Sequence, residues 1–389
     1  MKWPEVSLLD TLATAEVFVD GDWVESKDQD PDGDVRLVQL ADVGDGEYID
    51  KSDRFLTSAK ARALGCTFLK PGDVVVARMP DPLGRACIFP GDSKPSVTVV
   101  DVCIIRPDPR SHDARWLMHC LNAPTSRNQI AGYALGTTRS RISRGNLGKI
   151  KIPLPPLAEQ RRIAEVLDRA QALRAKRRSA LARFESLTQS LFLDLFGDPA
   201  TNPKGWPHKT LFDLARVVTG GTPPSAMANM FDGPIPFVTP GDLESDEPVK
   251  RSLTAAGAQE SRTVRAGSTL VCCIGATIGK MGIARAQNAF NQQLNAVEWS
   301  GEVDDIYGYA TLRFFKPTIK AWGASTTLPI LKKSSFEQIE IPVPPLALQQ
   351  EFARRFQATE KLRATHKGAL GELDELFASL QHRAFEGDL

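Results

Sequence analysis

At 389 residues the chain is too long for one ordinary domain, and 42% hydrophobic with 24% charged residues is the balance of a soluble globular protein. Its apolar runs, such as residues 269–274, fall far short of the ~20 residues a membrane span needs, and Met1-Lys2-Trp3-Pro4-Glu5 has no basic segment leading into an apolar one, so a cytoplasmic protein without a signal peptide is expected. A net charge of +1 excludes a globally basic polyanion binder, and six cysteines without CxxC spacing or a partnering His pair read as reduced thiols, not a disulfide or zinc framework.

Residues 1–150 read as short β-rich runs bounded by Gly, Pro and Asp turns, the pattern of an α+β domain with a sheet core. They open on Trp3-Pro4 with Leu8 and Asp10, then pass through Leu37-Val38-Gln39-Leu40-Ala41-Asp42 and Pro71-Gly72-Asp73-Val74-Val75-Val76-Ala77-Arg78 to a Gly84-Arg85 turn. Residues 136–151 carry Arg139, Arg141, Arg144, Lys149 and Lys151 without an acid, together with the hydroxyls of Thr137, Thr138, Ser140 and Ser143. Cations suit phosphates, and an arginine fork meets O6 and N7 of guanine together, so the cluster at 139–144 favours nucleic acid. Arg78 and Arg85 add cations at nearby turns. Any one of these charges reads equally well as a solvated surface group, and the Thr-Thr pair as turn hydroxyls.

The next stretch, Ile152-Pro153-Leu154-Pro155-Pro156-Leu157-Ala158-Glu159-Gln160, cannot begin as helix interior, because proline lacks the donor and clashes with the preceding turn. Beyond it, Ile163, Val166, Ala170, Leu173, Ala180, Phe184, Leu187 and Leu191 recur at heptad spacing. The helix they predict is about 40 residues long, roughly 60 Å at 1.5 Å per residue. Its basic run, Arg174, Lys176, Arg177, Arg178 and Arg183, suits a solvated face or a protein dock better than DNA.

A turn-rich linker at 197–205 leads to a second region at 206–340 that faintly repeats the first. Trp206-Pro207 with Leu211 and Asp213 echoes the opening, Phe237-Val238-Thr239-Pro240-Gly241-Asp242 the second run, and Ala266-Gly267-Ser268-Thr269-Leu270-Val271-Cys272-Cys273 with Gly279-Lys280 the third. Ser325, Thr326, Thr327, Lys332 and Lys333 correspond to the basic cluster, acids arriving only at Glu337 and Glu340. Then Ile341-Pro342-Val343-Pro344-Pro345-Leu346-Ala347-Leu348-Gln349 repeats the proline run 189 residues on, and the match continues without a gap to Phe385, with about 17 of 45 paired positions identical.

The second helix carries Phe352, Leu362, Ala369, Leu373, Leu376 and Leu380, with Arg355, Thr359 and His366 as polar breaks. Each stripe needs a partner, and the two copies are expected to form an antiparallel coiled coil; the alternative is that each packs on its own neighbouring domain. The expected architecture is α+β: two sheet-cored heads at 1–150 and 206–340, helical regions at 151–196 and 341–389, and pseudo-twofold symmetry. The chain ends at Gly387-Asp388-Leu389, where a second linker would begin, so the repeat is circular and its two ends should lie close together. The heads have diverged far more than the helices, as fits helices that meet an invariant partner and heads that meet different targets.

The Trp-Pro opening, Gly-Asp strand, Gly-Arg/Lys turn, Thr-Thr segment, Ile-Pro-x-Pro-Pro-Leu run with its Gln, and heptad helix together resemble the specificity subunit of type I restriction–modification systems, nearly end to end and in duplicate. Thr219-Gly220-Gly221-Thr222-Pro223 and Cys273-Ile274-Gly275-Ala276-Thr277-Ile278-Gly279-Lys280 make the second half the more typical. Met79-Pro80-Asp81-Pro82-Leu83 departs from the pattern, with prolines where Gly275 stands in the second half.

The resemblance implies two heads that each read half of a split double-stranded DNA target, at Arg78, Arg85, Thr137, Thr138, Arg139, Arg141 and Arg144 in one and Lys280, Thr326, Thr327, Lys332 and Lys333 in the other. It implies helices that space the heads and dock two methyltransferase subunits through Ile163, Val166, Leu173, Phe184, Leu187, Leu191, Phe352, Leu362, Leu373, Leu376 and Leu380. S-adenosylmethionine and ATP would belong to partner subunits, and a restriction subunit can join to add translocation and cleavage.

No catalytic set is legible. The Pro-Pro pairs lack the Asn or Asp before and the aromatic after that an adenine methyltransferase shows, no GxxxxGK[ST] loop is present, no Glu-x-Lys follows Pro80-Asp81 at useful distance, and the five histidines are scattered. A methylation-only or phage-defence specificity module, an enzyme whose site assembles in space, and a protein-only scaffold are the rival readings.

Overall fold

The computed structural model describes residues 3–80, 82–134, 140–224, 227–245, 247–324 and 329–389. The chain divides into two compact units, residues 1–178 with 368–389 and residues 179–367. Each unit therefore holds one head and part of both long helices.

Strands β1 (Glu5–Ser7), β2 (Val17–Asp20), β3 (Val35–Val38), β4 (Phe55–Leu56), β5 (Val74–Ala77), β6 (Ala86–Ile88), β7 (Ser96–Thr98), β8 (Val102–Arg106) and β9 (Lys151–Pro153) form the first head. They make a four-stranded sheet in the order β2-β8-β5-β6, a three-stranded sheet β4-β3-β7 and the pair β1-β9. The Val-Val-Val-Ala run of β5 is buried throughout because the strand is central, and β-branched side chains pack well on a pleated surface. Gly72, at φ 95°, supplies the turn that starts β5. Asp73 beside it is fully buried and accepts two 2.7 Å bonds from Arg106.

Helices α1 (Leu8–Thr11), α2 (Ser58–Ala63), α3 (Ala114–Asn122), α4 (Pro124–Gly132) and α5 (Arg144–Lys149) follow short side-chain caps at Ser7, Thr57, Asp113 and Ser143, with Pro124 opening α4. The long helix α6 (Leu157–Phe196) begins after the proline run. Its Ile163, Ala164 and Leu167 join Leu8, Trp116, Leu117 and Ile152 in one buried cluster, to which Ala384 and Phe385 also belong. Trp3 donates from its indole nitrogen to Ala384 O at 3.3 Å, which puts residues near the two ends of the sequence side by side, as the circular repeat requires.

The second head repeats this plan with β10 (His208–Thr210), β11 (Ala215–Thr219), β12 (Phe231–Val238), β13 (Ser252–Leu253), β14 (Thr263–Val264), β15 (Thr269–Cys272), β16 (Met281–Ile283), β17 (Asn288–Phe290), β18 (Leu294–Trp299) and β19 (Glu340–Pro342). Its sheets run β11-β18-β15-β16, β13-β12-β17-β14 and β10-β19. The equivalence reaches single positions: a Cβ on Gly21 would lie 2.3 Å from Val99 O, and one on Gly220 2.1 Å from Asn291 O, so both heads need glycine where this strand meets the neighbouring turn. Helices α7 (Leu211–Leu214), α8 (Ala255–Glu260), α9 (Asp305–Phe314), α10 (Lys316–Gly323) and α11 (Lys333–Phe336) precede the second long helix, α12 (Leu346–Glu386). Trp206 donates to Phe196 O at 3.1 Å, closing the end of α6 as Trp3 closes the end of α12.

Within each unit the two long-helix segments run antiparallel in contact. In the first, the Arg174 guanidinium reaches Asp374 at 2.6 Å and lies 4.3 Å above the Phe377 ring, while Leu167 shares its cluster with Ala384. In the second, Phe184 packs edge-on against His366 and Phe192 against Phe352. The helices thus pair and also pack on their own heads.

The inward stripe differs from the expected seam. It runs Ile163, Leu167, Ala170, Arg174, Arg177, Leu181, Phe184, Thr188 in α6, and Phe352, Phe356, Thr359, Arg363, His366, Leu370, Leu373, Phe377 in α12. Ile163, Phe184 and Phe352 are buried, and Val166, Leu191, Leu373 and Leu380 are half-buried, but Leu173, Leu187, Leu362 and Leu376 are 50–55% exposed. The physical reason is that polar side chains occupy central inward positions, their aliphatic stems buried and their heads paired, so apolar letters alone place the seam one residue early.

Candidate nucleic-acid interface

In the first head β5 delivers Arg78 and Arg85 to either side of a turn, and both guanidiniums are nearly buried, at 5% and 8% exposure. Arg78 donates from Nε to Ile142 O (3.0 Å) and from NH1 to Val100 O (3.1 Å), and pairs with Asp20. Arg85 donates to Val43 O, Leu40 O, Pro82 O and Met79 O at 2.6, 2.8, 3.1 and 3.2 Å. Both were expected as DNA contacts; in this structure both clamp loops, because buried carbonyls need donors and a buried guanidinium needs acceptors. Arg78 acts on the candidate segment itself, since its carbonyl also accepts from Ile142 N at 3.1 Å.

Arg141 stays half-exposed and pairs with Asp101 at 3.1 Å. Arg144, just inside the Ser143 cap, donates to Phe18 O at 3.3 Å with its head 6.0 Å from the Phe18 ring. Thr137, Thr138 and Arg139 lie outside the described residues, as do Thr326 and Thr327 and, in the departing turn, Asp81. Beside Asp101 a groove of about 640 Å³ is lined by Asp22, Trp23, Gln29 and Gln39, and Trp23 is 68% exposed. Its floor is held by Asp42: burial opposes the Asp42 charge, but hydrogen bonds from Gln39 N, the Ser52 hydroxyl, Ser52 N and Lys51 N outweigh it and keep the carboxyl below its ordinary pKa.

In the second head the equivalent of Arg78 is Cys273, and backbone bonds tie the described part of the corresponding segment: Leu331 N to Cys273 O (2.8 Å) and Gly275 N to Pro329 O (2.9 Å). Lys280 follows Gly279, which at φ 86° packs against the stems of Lys316 and Lys320. Lys332 and Lys333 are exposed, Lys333 facing Glu337 at 3.4 Å. Lys316 pairs with Glu244 at 2.5 Å. No sequence pattern marks Lys316 and Lys320, which reach this surface only because α10 crosses the Gly279 turn; Trp322, half-exposed at the end of α10, is equally unmarked.

Among the described residues no group of His, Cys, Asp and Glu could hold a metal ion, all six cysteines are buried and free, and no helix is long and apolar enough to cross a membrane. What the arrangement offers is two loop surfaces with cations, amides and exposed rings on rigid sheet frames, suited to contacting a polyanion and reading edges.

Such a duplicated pair of heads defines a class of DNA-recognition protein, and the chain belongs to the type I restriction modification DNA specificity domain family, whose profile it matches at residues 31–182 and again at 203–375. Members of this family are the specificity components of type I restriction enzymes, not the catalytic ones. Among similar proteins are the type I restriction enzyme EcoBI specificity subunit of Escherichia coli, 23% identical over 76% of this chain and 70% of that one, and the MjaIX specificity subunit of Methanocaldococcus jannaschii, 29% identical over 39% of this chain and 37% of that one. The fold is shared with the crystal structure of the type I restriction–modification S subunit from M. genitalium, at TM-score 0.63 and 15% identity over 99% of this chain and 96% of that one.

Proposed function

We propose that the chain reads a bipartite, asymmetric double-stranded DNA target, one half-site per head, in the cytoplasm, and carries two methyltransferase subunits to it. The observation that carries this reading is the duplication: the two heads share the strand order of one four-stranded sheet but carry different side chains at equivalent positions, Arg78 in one and Cys273 in the other. Related frames with unlike surfaces suit two unequal half-sites. The helices α6 and α12 act as one antiparallel coiled coil, pseudo-twofold symmetric, that fixes an unread gap between them.

The docks are the exposed leucines. Leu173 and Leu362 are repeat-equivalent, as are Leu187 and Leu376, and each unit presents one from each helix: Leu173 with Leu376, and Leu187 with Leu362. Two equivalent pairs of exposed leucines suit two copies of one partner. S-adenosylmethionine would be held by those methyltransferase subunits, and ATP by restriction subunits in complexes that cleave. Methylome sequencing of the host with and without the gene tests this reading: loss of a split, asymmetric motif supports it, and an unchanged methylome overturns it.

A further inference from the structure

The turn entering an inner strand of the four-stranded sheet is topologically the same in both heads, residues 99–101 before β8 and 291–293 before β18. In the first head Asp101 of this turn holds Arg141. In the second the turn is Asn291-Gln292-Gln293, and its three amides have different fates. Asn291 Nδ2 donates to Gln293 Oε1 (3.0 Å), Asn291 Oδ1 accepts from Gln293 N (3.2 Å), and Gln293 Nε2 donates to Ile274 O (3.4 Å), which binds the turn to the strand end that bridges to Ile330.

Those two amides are spent on shape. Gln292 alone is exposed, and Thr222 Oγ1 donates to its Oε1 at 2.7 Å. In this arrangement the amide oxygen faces Thr222, leaving a second lone pair on Oε1 and both Nε2 hydrogens outward, with no described residue taking them.

Resting on the DNA-reading function above, we propose that Gln292 is a specificity-determining residue of the second head, and that it reads an adenine. An exposed amide offers a donor and an acceptor that match the N7 acceptor and N6 donor of adenine in the major groove. Thr222 is its positioning residue. The first head has Asp101 with Arg141 in the corresponding place, a guanine-reading chemistry, so this one turn differentiates the two half-sites.

The test uses the full chain assembled with its methyltransferase subunits, on duplexes carrying the motif defined by the methylome, with each base pair replaced in turn. The half-site left undisturbed by Arg141→Ala is the second head's. Gln292→Ala should cut discrimination roughly 10-fold or more at one A·T pair of that half-site and leave every other position unchanged. Thr222→Val should produce a smaller loss at the same pair. Unaltered discrimination at every pair, or equal weakening at all of them, overturns the proposal while the DNA-reading function stands. A wild-type complex that does not distinguish the duplexes at all overturns both.

Discussion

Gln160 reaches back from the first turn of α6 to accept the backbone N–H of Asp113 at 3.0 Å, while its Nε2 donates to Pro155 O at 2.9 Å. Gln349 does the same at the start of α12, accepting from Asp304 N at 2.8 Å and donating to Pro344 O at 2.8 Å. Both glutamines are fully buried, and Asp113 and Asp304 are the caps of α3 and α9. One amide thus fastens the proline run, the long helix and the head's main helix together in each unit. Replacing it by leucine leaves a buried N–H and a buried carbonyl unpaired, at about 1–3 kcal/mol each. Gln160→Leu should lower the urea midpoint measurably, and Gln349→Leu by a similar amount.

Arg85 and Lys332 separate structure from phosphate contact. Arg85→Met strips donors from four carbonyls and should destabilise the first head by roughly 3–5 kcal/mol, by analogy with breaking a buried pair. Lys332→Ala should leave the melting temperature within about 1 °C and reduce the slope of log affinity against log salt by about one. Salt titrations alongside thermal melts check both; a salt effect from Arg85→Met with unchanged stability would reverse its assignment.

The exposed leucines predict partner stoichiometry. Leu173→Asp with Leu376→Asp should release one methyltransferase subunit and keep the other, and adding Leu187→Asp with Leu362→Asp should release both. Native mass spectrometry reads the count. Because these side chains are half-exposed already, the chain's own stability should change by no more than about 0.5 kcal/mol per site.

Asp42 predicts an acid limb. Its folded pKa lies below the unfolded value, so the stability it contributes is present above about pH 4, the unfolded carboxylate range, and is lost as pH falls through the folded value. Asp42→Asn should cost about 2–3 kcal/mol at pH 7 and flatten the loss of stability below pH 4, measured by denaturant titration across pH.

The repeat, the proline runs, the glutamines and the two sheet-cored heads were legible because backbone chemistry writes them directly: proline forbids helix, and period two or three-and-a-half marks the faces. The seam was displaced by one residue because Arg174, Arg177 and Thr188 sit inward, where letters alone read as surface. Arg78 and Arg85 read as free cations because sequence does not reveal which carbonyls a fold will leave without donors. Lys316 and Lys320 meet the Gly279 turn, and Thr222 meets Gln292, only through tertiary placement. The equivalence of Gly21 and Gly220, each within about 2 Å of a carbonyl for an added Cβ, appears only once the neighbouring turn is in place.

Everything central depends on the helices setting the distance between two readers. Deleting residues 174–180 and 363–369 removes one heptad at equivalent positions of both helices, keeps Leu173, Leu187, Leu362 and Leu376, and preserves the pairing register. Seven residues span about 10 Å, so the gap in the methylated motif should shorten by about two to three base pairs at 3.4 Å each, with both half-site sequences unchanged. A complex that still methylates the original motif with its original gap would contradict the account.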